Sequence, residues 1–156
     1  MISVSSDGEN QYIVFKLSKN NYGINIKFIR EVVEPKNITK IPKAPYYIEG
    51  IMNLRGKLVS LINLARLLGT EMEQFTDRKS KVLIIDSNIE KQNNMEIGLI
   101  VDQVLGVLRL NSSGLEQSKV PSEIIDKVIE HHGQLILVLN MDKLIKMIDF
   151  AHTGVE

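Results

Sequence analysis

The sequence predicts an all-β fold with short helices, built as two small barrels packed together. Three observations predict it. The apolar residues fall in short runs rich in β-branched and aromatic side chains, which is the pattern of strands. Polar clusters containing Gly, Asn, Ser or Pro break those runs at turn-like intervals. The second half of the chain then restates the pattern of the first. At 156 residues, 44% apolar and 24% charged, the composition is that of a globular protein, with room for one ordinary domain or two very small ones.

Residues 1–11 are polar and read as a loose tail. Tyr12–Leu17 forms the first strand, and Ser18-Lys19-Asn20-Asn21 turns the chain into a second, Tyr22–Ile26. The spacing predicts a short helix over Lys27–Val33, ended by Pro35. A brief strand follows at Ile38–Ile41. Gly50–Leu54 and Leu58–Ile62 flank Arg55-Gly56-Lys57 as a hairpin. Asn63 caps a helical segment that reaches Leu68, and Gly69 ends it. The connector is 69–80. Beyond it, Val82–Ile85, Ile97–Val101, Val104–Leu110 and Gln134–Leu139 read as strands, Asn88–Asn94 and Ser112–Ser122 as loops, and Asp142–Met147 as a helix. Residues 149–156 read as a fraying tail. The domain is therefore expected over 12–148, with subdomains near 12–68 and 81–148 and a possible exchange of strand or helix at their ends.

The repeat can be written out. Ile48–Gly69 aligns with Ile125–Lys146 without a gap, placing Gly56 on Gly133, Leu58 on Leu135, Asn63 on Asn140 and Leu67 on Leu144. Upstream, Tyr22-Gly23-Ile24-Asn25-Ile26 lies over Ile97-Gly98-Leu99-Ile100-Val101. Any two hairpins followed by a helix look somewhat alike. An internal duplication is the sharper reading, with a shared apolar interface expected because each copy alone is a marginal folding unit.

Composition excludes much. With no Cys there is no disulfide, thiolate nucleophile or Cys-ligated zinc. Nineteen basic and nineteen acidic residues leave no net charge, which argues against broad nucleic-acid binding. The most apolar stretch, Ile48–Leu68, is broken by Arg55, Lys57 and Arg66, so direct membrane insertion is not expected, and the chain reads as cytoplasmic. Of the three His, the adjacent His131 and His132 would point to opposite faces of a strand and so not easily share a metal; they read as a turn pair of solvated histidines. No phosphate loop or framed serine nucleophile is present. No catalytic residue, metal or cofactor is expected.

Binding is better supported. Ile26, Ile29 and Val33 fall on one stripe of the expected helix, and Phe28 and Val32 on another. Two readings stand: both stripes are buried, or one lines an exposed groove for a partner helix. The second candidate is Asn53-Leu54-Arg55-Gly56, opposite Glu130-His131-His132-Gly133. The glycine is common to both and serves the turn; Asn-Leu-Arg is not. Arg55 could hold a carboxylate of a partner or of this chain, Glu31 being the internal candidate, or stand as an ordinary exposed turn arginine.

Tyr22-Gly23-Ile24-x-Ile26, Ile29-x-Glu31-Val32, Ile38-Thr39-x-Ile41-Pro42, Glu49-Gly50-Ile51-x-Asn53-Leu54-Arg55-Gly56 and Ile97-Gly98-Leu99-x-Val101-Asp102 resemble, in order and spacing, the CheW-like domain of chemotaxis coupling proteins. The resemblance runs from about Tyr12 to Ile148; Ser60 and Asn63 depart from the common Pro and Asp. It implies two five-stranded SH3-like barrels and a non-enzymatic adaptor. Such an adaptor links the cytoplasmic tips of transmembrane chemoreceptors (methyl-accepting chemotaxis proteins) to the regulatory domain of the histidine kinase CheA, in arrays at the inner face of the membrane. It implies a receptor groove carrying Ile26, Ile29, Val32 and Glu31. It also implies a coupling or structural motif of Gly50, Asn53, Leu54, Arg55 and Gly56, with Glu31, Gly50 and Arg55 functionally sensitive. The alternatives are a CheV-type adaptor, for whose receiver domain the chain leaves no room, and a small-ligand-sensing barrel.

Overall fold

The computed structural model describes residues 10–70, 79–86, 95–110 and 122–153. In chain order the strands are β1 (Gln11–Leu17), β2 (Asn20–Asn25), β3 (Ile29–Val33), β4 (Ile48–Leu54), β5 (Lys57–Asn63), β6 (Lys81–Ile85), β7 (Glu96–Val101), β8 (Gln103–Arg109), β9 (Ile125–His131) and β10 (Gln134–Leu139). Helix α1 (Leu64–Leu68) follows β5, and α2 (Met141–Thr153) follows β10. They form two five-stranded sheets, ordered β8-β1-β2-β10-β9 and β3-β6-β7-β5-β4.

The repeat is present in the backbone down to its irregularities. In β4–β5 the register slips between Ile48 and Gly50, leaving Glu49 as the extra residue of a bulge. In β9–β10 the same slip lies opposite Val138 and Leu139, with Ile125 and Lys127 as partners and Asp126 between them. Both hairpins turn on two residues with positive φ: Arg55 (51°) and Gly56 (87°), then His132 (52°) and Gly133 (80°). That is the type I′ turn, whose twist matches the strands it joins. Both following helices are capped by an asparagine side chain: Asn63 Oδ1 accepts from the Arg66 N–H at 3.1 Å, and Asn140 Oδ1 from the Lys143 N–H at 3.2 Å. In each sheet the repeated Gly lies beside the same strand position, Leu61 beside Gly98 and Val138 beside Gly23, in parallel pairing.

The repeat is not, however, the folding unit. The first sheet takes β1 and β2 from the first half and β8, β9 and β10 from the second; the other sheet takes the complement. The two units are Met1–Phe15 with Asn20–Lys27 and Leu105–Glu156, and Lys16–Lys19 with Phe28–Val104. The subdomains expected over 12–68 and 81–148 thus trade their opening hairpins, β1–β2 for β6–β7. The physical reason is that β10 and β5 offer equivalent edges to β2 and β7, so either pairing satisfies the same hydrogen-bond ladder. The first core gathers Tyr12, Val14, Leu110, Ile129, Ile136 and Val138. The second gathers Met52, Val59, Leu61, Val82, Ile84 and Ile100.

Three local expectations need correction. Lys27–Val33 is not a helix; Ile26–Phe28 forms a single 3-10 turn and Ile29–Val33 is strand β3, paired antiparallel with β6. An i, i+4 apolar pair such as Ile29 and Val33 shares a face in either geometry, so spacing alone did not discriminate, and the β-branched Ile29, Val32 and Val33 favour the strand. Ile38–Ile41 contributes one isolated bridge, Thr39 to Ile51. The last helix runs from Met141 to Thr153, past the expected end at Met147, and Met141, Leu144, Ile145 and Ile148 form one buried stripe along it. The expected loops Asn88–Asn94 and Ser112–Ser122 lie almost wholly outside the described residues, as does most of the N-terminal tail.

Candidate functional site

The candidate site is built on β3 and on the turn between β4 and β5, both in the second unit. Strand β3 alternates in exposure: Ile29, Glu31 and Val33 are half-buried, Arg30 and Val32 exposed. Its pairing with β6 slips at Arg30, since Ile29 faces Ile85 and Glu31 faces Ile84, its immediate neighbour. Arg30 is thus the extra residue of a bulge, a device that re-aims a side chain at a sheet edge.

Arg30 meets Glu96 at the start of β7. Arg30 Nη1 donates to Glu96 Oε2 at 2.7 Å and Nη2 to Oε1 at 2.6 Å, a bidentate fork. Arg30 Nη2 also reaches Glu31 Oε2, at 3.4 Å. The same Glu31 oxygen accepts from Arg55 Nη2 at 2.5 Å. Lys57 Nζ stands 3.7 Å from Glu96 Oε2. Five groups therefore alternate in sign: Arg55, Glu31, Arg30, Glu96, Lys57. Glu96 is the most enclosed, its side chain 10% exposed, while those of Arg55 and Lys57 are 65% and 71% exposed. The hydrogen bonds from Arg30 hold the Glu96 carboxyl below the usual carboxylate range, outweighing the opposing effect of burial. The same bonds raise Arg30 above its ordinary value.

The turn itself explains the rest of the motif. Asn53 Oδ1 accepts the Gly56 N–H at 2.9 Å, closing the turn from the side. Leu54 packs against the second core. Gly50 sits at φ 152° beneath the crossing segment, where Thr39 N–H bonds the Ile51 carbonyl at 2.9 Å and Ile51 N–H the Thr39 carbonyl at 2.8 Å. A Cβ on Gly50 would run into the Thr39 carbonyl and lie 2.6 Å from Ile38 Cγ2. Gly50, Asn53, Leu54 and Gly56 thus shape the hairpin. Arg55 differs: it occupies a left-handed position that favours Asn or Gly, and its guanidinium leaves the hairpin for Glu31.

Of the residues expected in an apolar groove, Ile29 is half-buried, Val32 is 40% exposed, and Ile26, in the 3-10 turn, belongs to the first unit. The helix stripe that joined them is absent. Glu31 and Arg55, proposed as a pair from sequence, are brought together. Arg30, Lys57 and Glu96 were missed. Glu96 had a signal: the aligned segments read Asn21-Tyr22-Gly23 and Glu96-Ile97-Gly98, so it breaks the repeat as Arg55 does.

His131 and His132 form the turn pair that the sequence suggested, and they are not on opposite faces of one strand. Their rings touch edge to face, with centroids 4.2 Å apart, because His132 lies in the turn at φ 52° and not in the strand. Among the described residues no group of three or more His, Asp or Glu could hold a metal ion, and no helix is long and apolar enough to cross a membrane.

The family model of the CheW-like domain matches residues 11–149. The chemotaxis protein CheW of Thermotoga maritima is 32% identical over 143 residues, covering 90% of each chain. That of Treponema pallidum is 27% identical over 147 residues, covering 89% of this chain and 84% of its own. Among solved structures, the scaffolding protein TtCheW from Thermoanaerobacter tengcongensis superposes with a TM-score of 0.73 at 28% identity, covering 86% of each chain.

Proposed function

The chain belongs to the CheW-like domain family, whose members are chemotaxis scaffolds and not enzymes, and on that premise we propose that it couples chemoreceptors to the histidine kinase CheA. In this reading a receptor cytoplasmic tip docks beside β3, using Ile29, Val32 and Glu31, all in the second unit, with Arg55 as the charged anchor. The regulatory domain of CheA pairs with edges of the sheets. The protein works in the cytoplasm, held at the membrane face through its receptors.

The observation that carries this reading is the Glu31–Arg55 pair. A mostly exposed arginine is held by a half-buried carboxylate at a backbone position that does not favour it. Such a cation is ready to meet an acidic or carbonyl group of a partner at little further entropic cost. Coupling then needs only contacts that differ between two kinase states.

The test mixes the purified protein with a receptor cytoplasmic fragment and CheA. A ternary complex should form, and Val32→Glu should remove the receptor while keeping the kinase. Unchanged receptor affinity in that variant would refute the docking surface.

A further inference from the structure

The molecule contains its own control for the charged cluster. The two sheets are built on the same plan, so each position of the cluster has a counterpart in the first unit. The in–out pattern of Ile29–Val33 recurs at Val104–Leu108, which sets Leu105 at the place of Arg30 and Gly106 at that of Glu31. The parallel ladders set Asn21 beside Ile136 as Glu96 is set beside Val59. The matching hairpins set His132 at the place of Arg55 and Gln134 at that of Lys57. Where the second unit has the Lys57–Glu96 ion pair, the first has a neutral bond, Asn21 Nδ2 donating to Gln134 Oε1 at 2.8 Å. A five-stranded sheet of this kind is thus completed without any of the five ions, and the fold does not call for them.

The distances say what they do instead. Arg30 stands between two carboxylates. It forks onto Glu96 at 2.6 and 2.7 Å and leans on Glu31 only at 3.4 Å, while Arg55 takes Glu31 at 2.5 Å. Both arginines reach the same Glu31 oxygen, Arg55 closely and Arg30 at the limit of a hydrogen bond, while the fork of Arg30 is taken by Glu96.

We propose that Glu96 is a positioning residue for the docking site: by taking the fork of Arg30, it keeps Arg30 at a long 3.4 Å contact with Glu31, leaves the closer contact to Arg55 and so fixes the partner-facing guanidinium. This rests on the adaptor reading for its purpose, though not for its geometry. Without Glu96, Arg30 swings onto Glu31 from the adjacent position on the same strand and displaces Arg55.

Two readouts test it. The first needs no partner: NMR of the Arg55 guanidinium protons, read as their exchange with solvent. Glu96→Gln should speed that exchange about fivefold, a typical effect of breaking a coupled contact. The double variant Arg30→Gln/Glu96→Gln should restore it, since the competitor is gone. The second is affinity for the receptor fragment, expected to fall about fivefold in Glu96→Gln and to recover in the double variant. Unchanged exchange in Glu96→Gln overturns the proposal, as does a double variant no better than the single one, the result a merely structural role would give. If exchange follows the expected pattern but Arg55→Ala binds receptor as tightly as the unaltered protein, the positioning stands and the docking role of Arg55 falls.

Discussion

Arg30 and Glu96 sit at opposite ends of the second sheet's chain path, yet they meet through two parallel hydrogen bonds of 2.7 and 2.6 Å. Arg30 is the extra residue of the β3 bulge and lies on the exposed side of the strand, between the half-buried Ile29 and Glu31.

This pair gives the protein an acid-sensitive contribution to stability. Glu96 has a folded-state pKa below its ordinary value. Between the two titrations the unfolded chain binds the extra proton, so stability rises with pH. The contribution is complete above the unfolded-state pKa of about 4.3 and is lost as pH falls through the folded-state value. Urea midpoints followed from about pH 6 down to about pH 3 should decline less steeply in Glu96→Gln than in the unaltered protein. Equal slopes would show that the pair contributes nothing.

Arg55→Ala should separate binding from stability. Its side chain is 65% exposed, so deleting the pair with Glu31 should cost at most about 1 kcal/mol, and relieving the left-handed backbone position is no easier for Ala. Melting temperature should move by a few degrees at most, whereas affinity for a receptor fragment should fall severalfold. A large drop in melting temperature with intact coupling would make Arg55 structural.

Gly50 should behave in the opposite way. Gly50→Ala forces a Cβ into the Thr39 carbonyl and Ile38, and backbone cannot yield as a flexible side chain does. A loss of about 2 kcal/mol or more is expected, measured by denaturant unfolding. Gly133→Ala, whose Cβ would meet nothing within 4 Å, is the control and should lose only the cost of a positive φ, about 1 kcal/mol.

How much of this was legible depended on whether the signal was local. The turn at Arg55-Gly56, the cap at Asn63 and the stop at Gly69 each follow from one residue's own chemistry, and the structure has all three. The repeat was legible because it recurs at a fixed register. Strand β3 was misread because Ile29 and Val33 satisfy both the helical and the extended period. The hairpin exchange had no sequence signature at all: β2 and β7 carry the same Gly-centred pattern, and nothing within either says which edge it will join. Arg30 and Glu96 pair across a separation that no local pattern spans, although the broken symmetry at Glu96 was there to be seen.

The exchange also predicts how the chain can be cut. Fragments 1–70 and 79–156 each lack a hairpin supplied by the other. Without β6 and β7 the second core loses Val82, Ile84 and Ile100. At about 1.5–3 kcal/mol each, that loss rivals the entire stability of a small domain, about 5–15 kcal/mol. Neither fragment should unfold cooperatively alone; mixed, they should recover a single transition by circular dichroism. A cooperative transition in either fragment alone would contradict the assignment.

Interleaved strands carry a consequence for biosynthesis. The β1–β2 hairpin is synthesised before the other strands of its sheet, yet the neighbour awaiting Gly23 is Val138, on the far side of the whole second sheet in chain order. A nascent β2 must wait with one bare ladder edge until β10 has been made. Maturation of the first sheet is thereby tied to β10, its own last strand, and a product stalled or truncated before it will be left with a sticky, unclosed rim for chaperones or proteases to find.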